Sequence, residues 1–134
     1  MDFESCGVEQ SFGIDIVAVD RIRVAAERND GTLEAIFSPA ELAESVASRR
    51  RYARLAAALA VKEALLKAAG FGLHEGLGFK EIEVSNRSGA PRLRLNGRMS
   101  ELIGDVDGNR CLVSSSFTDR FACAVVALQP EGIE

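Results

Sequence analysis

The chain has 134 residues, of which 47% are hydrophobic and 27% are charged, the composition of one globular domain with its own core. Its net charge of −4 at pH 7 argues against a general nucleic-acid binder, whose affinity depends on basic surface. We find neither an apolar run long enough to span a membrane nor a signal segment, so we expect no membrane partner. The three cysteines lack CxxC spacing, which fits a reduced compartment, and a cytoplasmic location is expected.

The N-terminal part is predicted to open with a strand. Residues 1–11 are polar and are expected to be loosely ordered. Residues 12–18 alternate and are rich in β-branched side chains, which predicts a strand with Asp15 and Val17 on the same face. A helix is predicted for residues 20–27.

Two further helices are predicted before the midpoint of the chain. Ser38, Pro39 and Glu41 form a helix-start signature, with serine as the N-cap, proline at the first helical position and glutamate at the third. After a pause in the pattern, an Ala- and Leu-rich segment predicts a long helix from about residue 51 to 69, ended by Gly70.

The second half of the chain changes to the alternation of β-strands. The predicted elements are strands at 79–85, 92–95, 111–116 and 121–128, and a short helix at 97–103. The last two strands are almost continuously apolar, so they are expected to be buried in the sheet or at an interface. Helices followed by antiparallel strands predict a single α+β domain over residues 12–129, with a tail at 130–134.

One acidic residue of the long predicted helix lies between two lysines, since Glu63 follows Lys62 directly and precedes Lys67 by four positions. Glu63 and Lys67 therefore share a helix face, and Lys62 projects about 100° away from it. Asp15 is a second carboxylate, in an aliphatic strand where burial is costly unless it is paired or metal-bound. Together the two acids predict a divalent metal that holds a phosphate. Two other interpretations stay open: a surface ion pair between Glu63 and Lys67, and an ion pair between Asp15 and Arg21.

Other charged and glycine-rich segments carry weaker signals. Arg49, Arg50, Arg51 and Arg54 form a basic cluster that either binds an anionic partner or is only a solvated helix start. The Gly-x-Gly of residues 70–72 could let a phosphate approach the backbone, although this pattern alone is unspecific.

Taken together, these segments resemble the holo-acyl-carrier-protein synthases, the small trimeric branch of the 4′-phosphopantetheinyl transferases. The similarity runs from about residue 13 to 128. It is carried by the segments 13–22, 62–73, 79–84, 89–91 and 113–116. The order and spacing of these segments are more specific than any one of them.

The resemblance implies a 4′-phosphopantetheinyl transferase fold, an antiparallel sheet with a long helix packed on it. It also implies transfer of phosphopantetheine from coenzyme A to a serine of an acyl carrier protein, in fatty acid or polyketide biosynthesis, by a homotrimer with sites between subunits. The implied Mg²⁺ ligands are Asp15 and Glu63, and the implied catalytic residues are Glu63, Lys67 and Asp15, with Glu63 helping to deprotonate the serine. The implied coenzyme A contacts are Lys62, Lys67, Gly70, Gly72, Gly89 and Pro91. The implied contacts with the carrier protein are Arg21, Arg49, Arg50 and Arg54.

The chain departs from the family pattern at two places. The family usually has a histidine where this chain has Phe117, and an Arg-Phe pair where it has Ala58 and Leu59. Both changes remove a polar group that the family places near its site. Two alternatives to the transferase therefore stay open. One is a trimeric relative that binds coenzyme A or carrier protein without transferase activity, or with other chemistry on carrier-bound acyl groups. The other is an inert subunit of an active synthase.

Overall fold

The computed structural model describes residues 10–71, 78–86 and 90–130. The expectations for residues 1–9, Gly72, Gly89 and residues 131–134 therefore lie outside the described residues. The strand expected at residue 12 already begins at Ser11, within the segment that was expected to be loosely ordered.

The described elements confirm an α+β fold in which antiparallel strands accompany one long helix. They are β1 (Ser11–Ala18), α1 (Val19–Arg28), α2 (Thr32–Ile36), α3 (Pro39–Val46), α4 (Arg51–Ala68), β2 (Ile82–Ser85), β3 (Arg92–Leu95), α5 (Gly97–Ile103), β4 (Cys111–Phe117) and β5 (Phe121–Leu128). Within this range, no helix is long and apolar enough to cross a membrane.

Two local differences from the sequence prediction have physical reasons. Residues 79–81 form a turn instead of the start of β2, because the Glu81 and Ile82 amides donate back to the carbonyls of Gly78 and Phe79. Helix α2 was not predicted, and with five residues it is too short to give a helical hydrophobic pattern.

The start of α3 is formed as predicted. The Ser38 hydroxyl accepts from the Glu41 amide, and the Glu41 carboxylate accepts in return from the Ser38 amide at 2.9 Å. This capping box satisfies two amides that a helix start leaves unpaired.

Helix α4 packs on one face of a three-stranded antiparallel sheet with the order β1-β5-β4. The strand β1 lies very close to this helix, because a Cβ added at Gly13 would come within 1.8 Å of the Ala64 carbonyl oxygen. Two residues farther along β1, Asp15 lies on the same face of the sheet as Gly13 and Val17. The close approach therefore carries Asp15 to the C-terminal part of α4, beside Lys67.

The opposite face of this sheet is apolar and exposed. Its exposed members are Phe12, Ile14 and Ile16 of β1, Leu112 of β4, and Phe121 and Val125 of β5. The alternation of β5 explains its continuous apolar sequence, since alternate residues face the core and this second face.

Candidate active site

Asp15 of β1 and Glu63 of α4 are brought together, as the sequence predicted. Both side chains are nearly buried, with 10% and 9% exposure. The Lys67 Nζ donates to Asp15 Oδ1 at 2.9 Å and to the Ile14 carbonyl oxygen at 3.0 Å. Asp15 Oδ2 is also buried, and it has no hydrogen-bond partner among the described residues. A buried carboxylate oxygen without a donor is costly, and a bound cation would remove that cost.

The surroundings of Glu63 disfavour the ionised form of its carboxyl group. Burial is the main cause that raises its pKa to about 7, and the adjacent Asp15 carboxyl adds to the rise, because a protonated Glu63 can donate to it and its negative charge opposes ionisation. The Arg21 and Lys67 charges lower the pKa in the opposite direction. Arg21 Nη1 lies 3.7 Å from Glu63 Oε1, although the Arg21 side chain is 58% exposed. Two carboxyl groups that share one buried space are thus only partly compensated by two cations.

This geometry corrects both ion-pair interpretations that the sequence left open, because each acid pairs with the cation that had been expected for the other acid. Lys67 pairs with Asp15 of the neighbouring strand instead of with Glu63 one turn away on its own helix. Arg21 pairs with Glu63 instead of with Asp15. The four charged groups form one cluster at the interface of β1, α1 and α4.

The cluster fits a hard divalent cation. In the described part of the chain, no group of three or more His, Cys, Asp and Glu side chains is placed to hold a metal. Asp15 and Glu63 offer two carboxylates, fewer ligands than such a group would supply. Mg²⁺ is commonly bound by one or two carboxylates together with phosphate oxygens and water. Asp15 Oδ2, which has no hydrogen-bond partner among the described residues, and the raised pKa of Glu63 both fit a carboxylate pair that binds a cation.

The structure corrects the expectation that Lys62 contacts phosphate. Its side chain is fully buried, and its Nζ donates to Glu41 Oε1 at 2.7 Å, to the Phe79 carbonyl at 2.7 Å and to the Ile36 carbonyl at 2.9 Å. An ammonium has three donors, so none remains for a ligand. Burial lowers the Lys62 pKa, and the Glu41 charge opposes that effect. Sequence reasoning identified Glu41 only as a helix cap and missed this buried pair.

Two of the expected coenzyme A contacts, Gly70 and Pro91, lie among the described residues. Gly70 has a φ of +87° and follows α4, where its amide donates to the Lys67 carbonyl while the Phe71 amide donates to the Leu66 carbonyl. This is the Schellman arrangement that ends many helices, and it requires a residue that tolerates positive φ. Pro91 is half-buried just before β3. Neither position is tested as a ligand contact by this geometry.

The arginine cluster at the start of α4 surrounds one of the two unusual positions. The guanidinium carbons of Arg50 and Arg54 lie 6.0 Å and 5.7 Å from the centre of the Phe117 ring. Arg50 also pairs at 3.8 Å with the exposed Asp119. Arg49 is exposed. The aromatic ring at position 117 thus supports two cations by cation–π contact, in place of the imidazole that the family usually has there.

Comparison with known proteins agrees with the resemblance seen in the sequence. The family model for the 4′-phosphopantetheinyl transferase superfamily matches residues 11–126. A holo-[acyl-carrier-protein] synthase from Edwardsiella ictaluri is 40% identical over 116 residues, which cover 85% of this chain and 92% of that protein.

Solved structures agree as well. The ACPS–CoA complex of Chronobacterium ammoniagenes is similar with a TM-score of 0.75 and 30% identity, covering 90% of this chain and 97% of that one. A Bacillus anthracis holo-(acyl-carrier-protein) synthase in complex with CoA (3′,5′-ADP) is similar with a TM-score of 0.69 and 27% identity, covering 89% and 95% of the two chains.

Proposed function

The chain belongs to the 4′-phosphopantetheinyl transferase superfamily and is an enzyme of the holo-[acyl-carrier-protein] synthase type, and we propose that it uses Mg²⁺ and coenzyme A to modify its carrier protein. Phosphopantetheine would pass from coenzyme A to a serine hydroxyl of the acyl carrier protein. The bond between the β-phosphorus and the bridging oxygen of the diphosphate breaks, a new bond joins that phosphorus to the serine oxygen, and adenosine 3′,5′-bisphosphate leaves.

The single observation that carries this proposal is that Asp15 Oδ2, beside Glu63, has no hydrogen-bond partner among the described residues, in a cluster that also contains Lys67 and Arg21. Asp15 and Glu63 would hold Mg²⁺, which would stabilise the negative charge that develops on the diphosphate. Lys67 is 40% exposed, so its ammonium can reach a phosphate oxygen while it still orients Asp15.

Glu63 also has the properties of a general base. Its pKa is about 7 without a metal, and a bound cation would favour the ionised carboxylate, which is the form that accepts a proton. We assign it the proton of the attacking serine.

Exposed arginines are proposed to receive the carrier protein. Arg21 is more than half exposed and borders the carboxylate pair, so an acidic helix bound there would present its serine to the site. Arg49, Arg50 and Arg54 would extend this cationic surface. Such contacts mainly increase the association rate and fix the orientation of the partner.

A homotrimer is proposed on the basis of the exposed apolar sheet face. Phe12, Ile14 and Ile16 are 64%, 65% and 67% exposed on one strand. An isolated protein rarely exposes such a contiguous apolar surface, so we expect a second copy to cover it. Free thiols at Cys111 and Cys123 are consistent with a cytoplasmic enzyme, which is proposed as its location.

The deciding experiment incubates the protein with coenzyme A, Mg²⁺ and apo carrier proteins of fatty acid and polyketide type, and reads intact mass. A gain of one phosphopantetheine on a serine supports the proposal and identifies the pathway. No gain on any carrier, although a complex forms, would favour the relative that binds without transferring. EDTA and a serine-to-alanine carrier serve as controls.

A further inference from the structure

Among the described residues, the two-stranded sheet of β2 and β3 is not hydrogen-bonded to the three-stranded sheet. Its position against the body of the protein therefore depends on contacts with helices. The polar contacts that join the segment 78–86 to α3 and α4 are Lys62 Nζ to the Phe79 carbonyl, the Val84 amide to Glu41 Oε2 and the Asn86 amide to Glu44 Oε1. The first two contacts both use the Lys62–Glu41 pair.

This pair is fully satisfied and connects four segments of the chain. Lys62 donates to the Ile36 carbonyl at the end of α2, to the Phe79 carbonyl in the turn before β2, and to Glu41. Glu41 in turn accepts from the Ser38 amide at 2.9 Å and from the Val84 amide at 2.9 Å. The side chains of Lys62 and Glu41 are only 0% and 2% exposed, so water does not compete for these bonds.

Stability alone is a poor explanation for such a pair. Buried ion pairs are often replaced by apolar side chains of similar volume without loss of stability, because removing two charges from water is costly. Apolar side chains cannot replace the directional hydrogen bonds that this pair makes. They would leave the Phe79 carbonyl and the Val84 amide without the partners that fix the hairpin at one distance and angle from α4.

We propose that Glu41 is a positioning residue, which acts through Lys62 to hold the β2–β3 hairpin where coenzyme A binding requires it. The inference rests on the proposed function, in which Pro91, just before β3, belongs to the coenzyme A site. The hairpin and Glu41 also line a cavity of about 640 Å³, with Arg92 and Arg94 of β3 among its lining residues. A displaced hairpin would move these two cations together with Pro91.

The test compares three variants with the wild type. Lys62→Met leaves a buried carboxylate without its cation, and Glu41→Gln leaves a buried ammonium without its anion. The double variant Glu41→Gln with Lys62→Met conserves volume and contains no unpaired charge, so it should regain part of the stability lost in either single variant, although the Ile36 and Phe79 carbonyls still lack their donor. Glu34→Gln, on the exposed surface of α2, is the matched control for loss of a carboxylate.

Two measurements separate positioning from simple folding. The first is the Kd for adenosine 3′,5′-bisphosphate by titration calorimetry, at a temperature where thermal unfolding shows every variant folded. The second is the division of the kinetic effect between KM for coenzyme A and kcat. We expect the double variant to bind the bisphosphate roughly tenfold more weakly and to raise KM by a similar factor, with kcat within about threefold, because a small misplacement weakens binding strongly while the acids and Lys67 are unchanged.

A folded double variant that binds the bisphosphate as the wild type does would overturn the proposal. The Lys62–Glu41 pair would then have no effect on the coenzyme A site. A fall in kcat with an unchanged KM would overturn it as well, because the hairpin would not be what the pair positions. These outcomes are distinct from failure of the proposed function, in which the wild type itself would neither bind the bisphosphate nor modify a carrier.

Discussion

The substitution Glu63→Gln tests how the carboxylate pair is held in the absence of a metal. Burial and Asp15 raise the Glu63 pKa to about 7 in the folded protein, against 4.5 for the same group unperturbed. The folded state therefore binds the Glu63 proton more tightly than the unfolded state. The free energy of unfolding should fall as the pH rises from about 4.5 through about 7.

The magnitude follows from the pKa difference, since each tenfold change in proton affinity is worth about 1.4 kcal/mol. Because the Glu63 side chain is only 9% exposed, most of this effect is retained, and we expect a penalty of about 2–3 kcal/mol at pH 8. Glutamine has nearly the same shape and no such penalty. Its lost contact with Arg21 offsets little, because an ion pair with an exposed partner contributes about 0–1 kcal/mol.

The assay is urea unfolding in EDTA at pH 4.5 and at pH 8, for the wild type, Glu63→Gln and the control Glu34→Gln. The Glu63 variant should match the wild type at the lower pH and exceed its free energy of unfolding by about 2 kcal/mol at pH 8. Added Mg²⁺ with coenzyme A should stabilise the wild type and leave the Glu63 variant unchanged. If the Glu63 variant is less stable than the wild type at pH 8, the carboxyl is not held against ionisation and the reasoning fails.

Three other substitutions test neighbouring parts of the argument. Gly13→Ala should destabilise the protein by at least about 2–3 kcal/mol and shift Asp15, because the new Cβ meets the Ala64 carbonyl at 1.8 Å; an unchanged thermal midpoint would contradict the close approach. Arg21→Gln should tighten Mg²⁺ binding up to about fivefold in calorimetry while raising KM for the carrier, because a competing cation of Glu63 is lost; weaker Mg²⁺ binding would be the opposite result. Ile16→Glu should yield a folded monomer in analytical ultracentrifugation, and a trimer that survives the charge would place the interface elsewhere.

The sequence was sufficient to single out Asp15, Glu63 and Lys67, which the structure places in one charged cluster, because a carboxylate in an aliphatic strand and an acid among lysines need compensation wherever they lie. It did not predict which cation compensates which acid. Lys67 and Asp15 are 52 positions apart, so their pairing is decided by the packing of β1 on α4 and not by helical spacing. Helical periodicity predicts which residues are neighbours on one helix, but it does not predict partners on another element.

Lys62 shows the same limit more strongly. Adjacent to Glu63 in a charged motif, it suggested a ligand contact, yet its partners Ile36, Glu41 and Phe79 are 26, 21 and 17 positions away. The sequence identified Glu41 only as a helix-capping acid. Capping one amide uses only part of the hydrogen-bonding capacity of a carboxylate, so Glu41 could still accept from a second partner. A buried lysine requires such a partner, and the search for an unassigned acid could have suggested Glu41.

The charge balance of the site explains why metal and coenzyme A should bind together. Asp15 and Glu63 are already compensated in part by Lys67 and Arg21, so a divalent cation added alone leaves a surplus of positive charge in a nearly buried space. Diphosphate supplies the negative charge that removes this surplus, and without the metal it would meet two carboxylates. On the proposed assignment, each ligand therefore lowers the electrostatic cost of the other. Their binding should be reciprocal and positively coupled, with Lys67 contacting both Asp15 and the phosphate.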